Sequence, residues 1–456
     1  MVKSPAPPPS ARSLALNILY QARQRDRWVE DLVAATLKRY PHLPRQERAF
    51  LLELVQGVKR WELKLDWLLS QVSHLPLGKL HPLVLNILRL GVFQLLMLDR
   101  VPARAVLHEA GKVAKARGLP RAHVGFINAI LRRLAAGDLP RLPSLEEDPV
   151  MALSIATSHP AWVVQGRLQR QGLDAAQAAL LADNQIPPLT IRVNTLRTDP
   201  TALAGRLAGE GVEAVPADLS PFGLKLVAWY AAPLELPSYK AGLWLFQDEA
   251  AQLVTCLLGV RPGQQVLEVG AGRGGKTTHL AELMTDKGLL VALDNHRRRL
   301  SEAQLHLQRW GVTVAQPLLA DATRPLPLKN GSLDAVLLDA PCSSLGILRR
   351  HPEIKTRLKE TDLLTFPPRQ EAMLKRAADL LRPGGRLLYI TCTTEPEENE
   401  DVINAFLSSQ SDFHLATEPA WLPPAACSLV QPPGFYKTSP AEHNLDAFFA
   451  AVLVKE

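Results

Sequence analysis

Hydrophobic positions recur at helical spacing from Ala11 to Ala136. Runs at 45–59 (RQERAFLLELVQGVK), 61–72, 104–117 and 124–134 each read as a helix. The run 83–98 is apolar on most faces, so it is expected at the centre of a helical bundle, with Pro82 in its first turn. The stretch 137–150 (GDLPRLPSLEEDPV) breaks the pattern at Pro140 and Pro143 and reads as a linker. Helical spacing returns at 163–183. Alternation follows at 189–196 (LTIRVNTL), with short strand-like runs at 211–215 and 223–227. These predict a small α+β, RRM-like module of about 80 residues. From Leu245 the pattern changes to alternating helix and strand. A helix is expected at 247–258, and strands at 265–269, 289–293, 313–318, 334–338, 386–391 and 447–454. Such alternation predicts an α/β, Rossmann-like domain with a mostly parallel sheet covered on both faces. Binding sites in sheets of this kind lie at the C-terminal ends of the strands.

Composition changes this picture in three places. Tail residues 1–10, with prolines from Pro5 to Pro9, are expected to be disordered and lack the apolar core of a signal peptide. Run 83–98 carries Asn86, Arg89 and Gln94 and is short for a membrane span. The four cysteines, Cys256, Cys342, Cys392 and Cys427, have no metal-ligand or disulfide-framework spacing, which fits a reducing cytoplasm and no metal. Charge is uneven: residues 1–140 hold 22 Lys+Arg against 10 Asp+Glu, although the whole chain has a net charge of only +7. A basic helical module attached to a slightly acidic body suggests polyanion binding, and a solvated basic surface is the plain alternative. Arg192, Asn194 and Arg197 either face nucleic acid or are ordinary polar residues of a sheet. In Ser158-His159-Pro160 the histidine reads as structural rather than catalytic.

The chemistry concentrates between 266 and 278 (VLEVGAGRGGKTT). A strand that runs into four glycines and then a helix N-terminus makes a cradle for an anion or nucleotide. Three templates fit. Gly270-x-Gly272-x-x-Gly275 is a dinucleotide pattern, Gly270-x-x-x-x-Gly275-Lys276-Thr277 is a formal P-loop, and Glu268-x-Gly270-x-Gly272-x-Gly274 is the pattern of S-adenosylmethionine (SAM) methyltransferases. Asp294 ends the second strand, where a carboxylate accepts ribose hydroxyls, and Asp321 follows the third. A P-loop protein has no need of Asp294. The next two strands deliver Asp339-Ala-Pro-Cys342 and Thr391-Cys392. Either cysteine alone reads as a small buried hydrophobe. Together, beside a nucleotide loop and an acid, they favour thiol chemistry.

Residues 11–136 resemble the NusB-like RNA-binding domain, through RQERAFLLELVQGVKRW (45–61), LRLGVFQLLMLDRVP (88–102) and GFINAILRRL (125–134). Residues 240–456 resemble the bacterial Sun/Fmu family of 16S rRNA 5-methylcytosine methyltransferases. That likeness rests on FQDEAAQLV (246–254), the glycine loop, LLDAPCSSLGILRRHPEIK (337–355) and YITCTTEPEENE (389–400). The implied order is tail 1–10, helical domain 11–136, linker 137–149, small module 150–240 and SAM-dependent methyltransferase domain 241–456.

The resemblance implies methyl transfer from SAM to C5 of a cytosine in 16S ribosomal RNA or a small-subunit precursor, by a cytoplasmic monomer. It implies SAM contacts from Glu268, Val269, Gly270, Ala271, Gly272, Arg273, Gly274, Gly275 and Lys276, with Asp294, Asp321 and Asp339. Cys392 would be the nucleophile at C6 and Cys342 would assist release. Asp339 would hold the cytosine N3/N4 edge, and Lys276 would orient this acid. Arg349, Arg350 and His351 are candidates for phosphate. The chain departs from the family where Asp-x-Cys-Ala-Ala-Pro-Gly-Gly-Lys is usual and Glu268-Val-Gly-Ala-Gly-Arg-Gly-Gly-Lys276 stands, and where Asp446-Ala447 replaces Asp-Gly. A non-catalytic RNA-binding or antitermination factor and a P-loop NTPase remain the alternatives.

Overall fold

The computed structural model describes residues 9–24, 27–230, 232–418 and 421–456. The expected disordered tail therefore falls almost wholly outside the described residues. Two compact units emerge from the contacts: 1–184 together with 351–357, and 185–350 together with 358–456.

In the first unit six helices, Ala11–Gln24, Val29–Arg39, Arg45–Val72, Pro82–Met97, Ala103–Ala116 and Arg121–Ala135, surround one core. The two helices expected at 45–59 and 61–72 are one continuous 28-residue helix. No proline or glycine separates them, and Glu62 and Asp66 turn inward to meet Arg89. Helix Pro82–Met97 is the central one. Proline takes its first turn, where an N–H would go unused, and the His81 ring accepts from Leu83 N–H. Its polar residues are buried rather than surface-facing. Arg89 pairs with Glu62 and Asp66 at 2.7 and 2.6 Å, and Gln94 accepts from Arg12 at 2.7 Å. No helix among the described residues is long and apolar enough to cross a membrane.

Helices Pro149–Thr157 and Ala161–Ala182 also belong to this unit, so the division falls later than the expected boundary at 150. His159, fully buried, lies 3.4 Å from Asp183, which Arg167 also holds at 2.7 Å. Burial pushes the His159 ring down to about 3, so it stays neutral inside this cluster.

The second unit contains two sheets. The smaller comprises β1 (Thr190–Val193), β2 (Val212–Pro216), β3 (Gly223–Trp229) and β4 (Trp244–Phe246), all antiparallel in the order β2-β3-β1-β4. Helices Pro200–Gly209 and Pro237–Lys240 complete a β-α-β-β-α-β pattern. Strand β4 lies beyond the expected module boundary at 240. The larger sheet holds β5 (Gln265–Val269), β6 (Leu289–Asp294), β7 (Ala315–Leu319), β8 (Leu333–Asp339) and β9 (Leu381–Thr391), all parallel. Then follow β10 (Phe413–Leu415), β11 (Val430–Gln431), β12 (Phe435–Lys437) and β13 (Phe449–Lys455), which pair antiparallel. The order is β11-β12-β13-β9-β8-β5-β6-β7, with β10 on β13. Strands β10 to β12 are two or three residues long, too short to leave an alternating pattern.

Chain progression runs one way from β5 through β6 to β7 and the other way from β8 to β9. The reversal falls between β5 and β8, where the loops leaving their C-terminal ends diverge and open a crevice. The apolar runs of β5, β6 and β8 are buried on both faces, which is why they read as nearly continuous rather than alternating.

Candidate active site

The glycine loop leaves β5 at the topological switch point and enters helix Gly275–Leu283. Gly270 has φ of 86°, and a β-carbon there would stand 2.5 Å from the main-chain oxygen of Asp339. Only glycine lets β5 and β8 diverge this closely. The N–H groups of Gly270 and Ala271 both donate to the carbonyl of Leu293, at 2.8 and 2.9 Å, which closes the loop over β6. Asp294 ends β6 and is buried. It accepts from Gly272 N–H at 2.9 Å and His296 N–H at 2.7 Å.

Glu268, last but one in β5, is almost fully buried, and its Oε2 makes no hydrogen bond among the described residues. Burial pushes its carboxyl up to about 7. An unmatched acceptor beside glycines that leave no room for side chains fits a ligand bearing a hydrogen-bond donor, such as the amino group of SAM. Val269, Ala271, Gly274 and Gly275 lie along the same turn. The guanidinium of Arg273 reaches Glu302 at 2.9 Å and is half exposed. Asp321 lies just past β7 and is partly exposed. Hydrogen bonds from the Thr323 N–H (3.0 Å) and hydroxyl (2.8 Å) hold its carboxyl below the usual range.

Asp339 ends β8 and forms an ion pair with Lys276, Nζ to Oδ2 at 2.7 Å. Lys276 sits in the first turn of helix Gly275–Leu283, with its Nζ 5.6 Å from the centre of the Phe448 ring. Burial opposes its charge, but Asp339 outweighs that and the ammonium is stabilised. The expectation that Lys276 orients this acid thus has its contact in the structure.

Cys342, three residues beyond β8, and Cys392, the first residue after β9, meet with their sulfurs 3.4 Å apart, both as free thiols. The Cys392 N–H donates to Cys342 Sγ at 3.3 Å, and Ser344 Oγ lies 3.5 Å from Cys392 Sγ. The hydrogen bond between the sulfurs draws the Cys392 thiol below its ordinary range, against the opposing effect of burial. The same bond, reinforced by burial, drives Cys342 well up. Cys392 is therefore the better thiolate of the two. Ser344 has φ of 60°, uncommon for a residue with a side chain, and this turn brings its hydroxyl to Cys392. Gly346 closes the loop: its N–H donates to the Cys392 carbonyl at 2.9 Å, and a β-carbon there would strike the Ala447 oxygen at 2.3 Å.

Two expectations fail. Arg349 and Arg350 are not phosphate ligands. Arg349 is buried against Asp446 (2.8 Å), Asn444 (3.0 Å) and Asp248 (3.6 Å), and Arg350 bridges Asp248 and Asp446 at 2.6 and 2.5 Å. His351 is placed in the first unit, 3.8 Å from Glu30. Arg192 and Asn194 do not face a nucleic acid either. Both are fully buried: Arg192 reaches Gly275 O, Thr278 and Glu282, and Asn194 holds the carbonyls of Gly242 and Trp310. Arg197 caps the carbonyls of Ala241 and Arg309. These residues fasten the small sheet to the helix that begins at the glycine loop. Ser344, Phe448 and Arg192 are site neighbours that spacing alone did not single out, because their partners lie 48 to 172 positions away.

Comparison with known proteins identifies the family. The model of the family described as 16S rRNA methyltransferase RsmB/F matches residues 255–454. The NusB family model matches 9–136, and a ferredoxin-like domain model of RsmF/B-type methyltransferases matches 159–231. A probable ribosomal RNA small subunit methyltransferase B of Synechocystis sp. is 35% identical over 98% of this chain and 99% of its own. Its counterpart in Bacillus subtilis is 33% identical over 89% of each. A crystal structure of a methyltransferase homolog protein from Pyrococcus horikoshii, 26% identical, covers 68% of this chain and 99% of its own with a TM-score of 0.57. With this likeness along nearly its whole length and a SAM-type cradle beside two paired thiols, the chain belongs to the 16S rRNA methyltransferase RsmB/F family.

Proposed function

We propose that this SAM-dependent methyltransferase modifies C5 of a cytosine in 16S rRNA or its small-subunit precursor, through a covalent bond between Cys392 and C6. The observation that carries the reading is the pair of thiols 3.4 Å apart at the ends of neighbouring strands, beside the Lys276–Asp339 pair.

Cytosine C5 is too weak a nucleophile to act unaided. Addition of the Cys392 thiolate to C6 breaks the ring's aromaticity and moves the C5=C6 electron pair onto C5. SAM, when bound, supplies the electrophilic methyl group that this carbon takes. Asp339 accepts from the cytosine N4 amino group and fixes the ring edge, and Lys276 holds Asp339 in place. A base then takes the C5 proton, the C5–H electron pair re-forms C5=C6, the S–C6 bond breaks, and Cys392 leaves as thiolate. Cys342 assists this release. A base must be unstacked to reach a thiol set inside the site, so single-stranded or looped RNA is the natural substrate. The basic helical domain supplies affinity for that RNA, and the protein acts as a cytoplasmic monomer.

Cys392→Ala is expected to abolish methyl transfer while leaving SAM binding intact. Cys342→Ala should accumulate a covalent RNA adduct, visible as a slow band on a denaturing gel. Turnover by Cys392→Ala at the native rate would refute the nucleophile assignment. Bisulfite sequencing of 16S rRNA from a deletion strain locates the acceptor cytosine.

A further inference from the structure

The loops that carry the two thiols are joined by one buried carboxylate. Ser343 follows Cys342, and Thr393 follows Cys392. Glu398 Oε2 accepts the Ser343 N–H at 2.9 Å and a Gln370 Nε2–H at 3.0 Å, and Oε1 accepts the Thr393 hydroxyl at 3.3 Å. The Ser343 and Thr393 hydroxyls are themselves 2.6 Å apart. Gln370 also donates to the Pro341 carbonyl at 3.0 Å, and the Glu398 carbonyl accepts from Tyr389 OH at 2.6 Å. Glu398 and Gln370 are both fully buried.

A carboxylate taken wholly out of water costs several kcal/mol, and an apolar contact could join two loops without that cost. What an apolar contact lacks is direction. One planar group with acceptors on both oxygens fixes the heights of Ser343 and Thr393 relative to each other, and so of the sulfurs next to them. We propose that Glu398 is the positioning residue that sets the separation of Cys342 and Cys392 for the reaction. This rests on the roles given to the two thiols above. The Glu398 charge has a second effect at that place: after the hydrogen bond with Cys392 and burial, it adds to what disfavours a thiolate at Cys342, although burial also pushes the Glu398 carboxyl up. The titratable groups facing Cys342 are Cys392, Glu398 and Tyr389; those facing Cys392 are Cys342, Asp339 and Lys276.

The test uses the full-length protein with Glu398→Gln and Glu398→Asp. Alkylation by iodoacetamide across a pH series, read at each cysteine by mass spectrometry, needs neither RNA nor SAM. Glu398→Gln is expected to move the Cys342 midpoint to lower pH. Glu398→Asp keeps the charge and withdraws it by one methylene, so it should leave that midpoint near the wild-type value. In methyl transfer to 16S rRNA both variants should lose about 10²-fold in kcat with the KM for SAM within about twofold, the cost of misplacing reacting groups by about 1 Å. Unchanged alkylation profiles in Glu398→Gln, or kcat within about threefold of wild type in both folded variants, would overturn the proposal. If wild-type protein itself left cytosine unmodified, the reading of the reaction would fall, and the alkylation profiles would still decide the role of Glu398.

Discussion

Glu268 shows how far a residue's neighbourhood can depart from its sequence context. Nothing in Val-Leu-Glu-Val announces that this carboxyl is raised from 4.5 to about 7. The cause is burial on the inner strand of a parallel sheet with one oxygen unmatched. A carboxyl whose folded value is raised contributes stability that is fully present below about pH 4.5 and lost as pH rises through about 7. Glu268→Gln imitates the protonated form. It should match wild type at pH 4.5 and exceed it above pH 7 by an amount on the order of 3 kcal/mol, from about 1.4 kcal/mol per unit. Thermal melts of both proteins over that range check this, and parallel curves would refute it. The same residue-scale contrast separates Cys342 from Cys392. Their motifs are legible as a pair, but what makes Cys392 the more acidic sulfur is set by a contact between residues 50 positions apart, together with burial.

At the scale of elements, the hydrophobic pattern singled out four helices of the first domain (Arg45–Val72 as two runs, Pro82–Met97, Ala103–Ala116 and Arg121–Ala135) and all five parallel strands, because each is long enough to repeat its period; Ala11–Gln24 and Val29–Arg39 are covered only by the general helical spacing of 11–136. It missed β4, β10, β11 and β12, of two or three residues each, whose positions depend on a neighbouring strand. It also left Arg192 undecided. In an alternating strand its side chain points either to solvent or to a covering layer, and local sequence does not say which. The structure turns it onto helix Gly275–Leu283, where it pairs with Glu282 at 2.9 Å and bonds the Gly275 carbonyl at 2.7 Å. Arg192→Ala leaves Glu282 buried without its cation, so it is expected to destabilise the protein by about 3–5 kcal/mol. Because the bond reaches the first turn of the helix after the glycine loop, SAM affinity should fall as well. Denaturant melts and calorimetric titration with SAM check the two effects, and an unchanged affinity would sever the small sheet from the cofactor site.

For the whole molecule, charge asymmetry is the property with the widest reach. Arg104, Lys115 and Arg132 line one groove beside Leu107, Gly111 and Asn128 of the helical domain, on two neighbouring helices. If the domain binds RNA through phosphates, replacing these three by Ala should flatten the dependence of log affinity on log salt by about 2, at roughly 0.7 per contact for single strands. Binding of SAM should be unchanged. Filter binding at several salt concentrations measures the slope, and a slope equal to wild type would place the RNA elsewhere.

By itself the sequence determined the order of helical, small α+β and α/β parts, the glycine loop, the acids at the strand ends and the presence of two cysteines in reactive motifs. These are properties of local period, of spacing along the chain and of residue type. Tertiary structure decided what depends on partners far apart. It showed that Arg349 and Arg350 are bound internally to Asp248 and Asp446 rather than free for phosphate, and that Arg192 and Asn194 are inside. It also brought the thiols to 3.4 Å and put one carboxylate, Glu398, between their loops. A lone arginine reads the same whether its counter-charge is 100 residues away or in the solvent; only the fold says which cations are already neutralised.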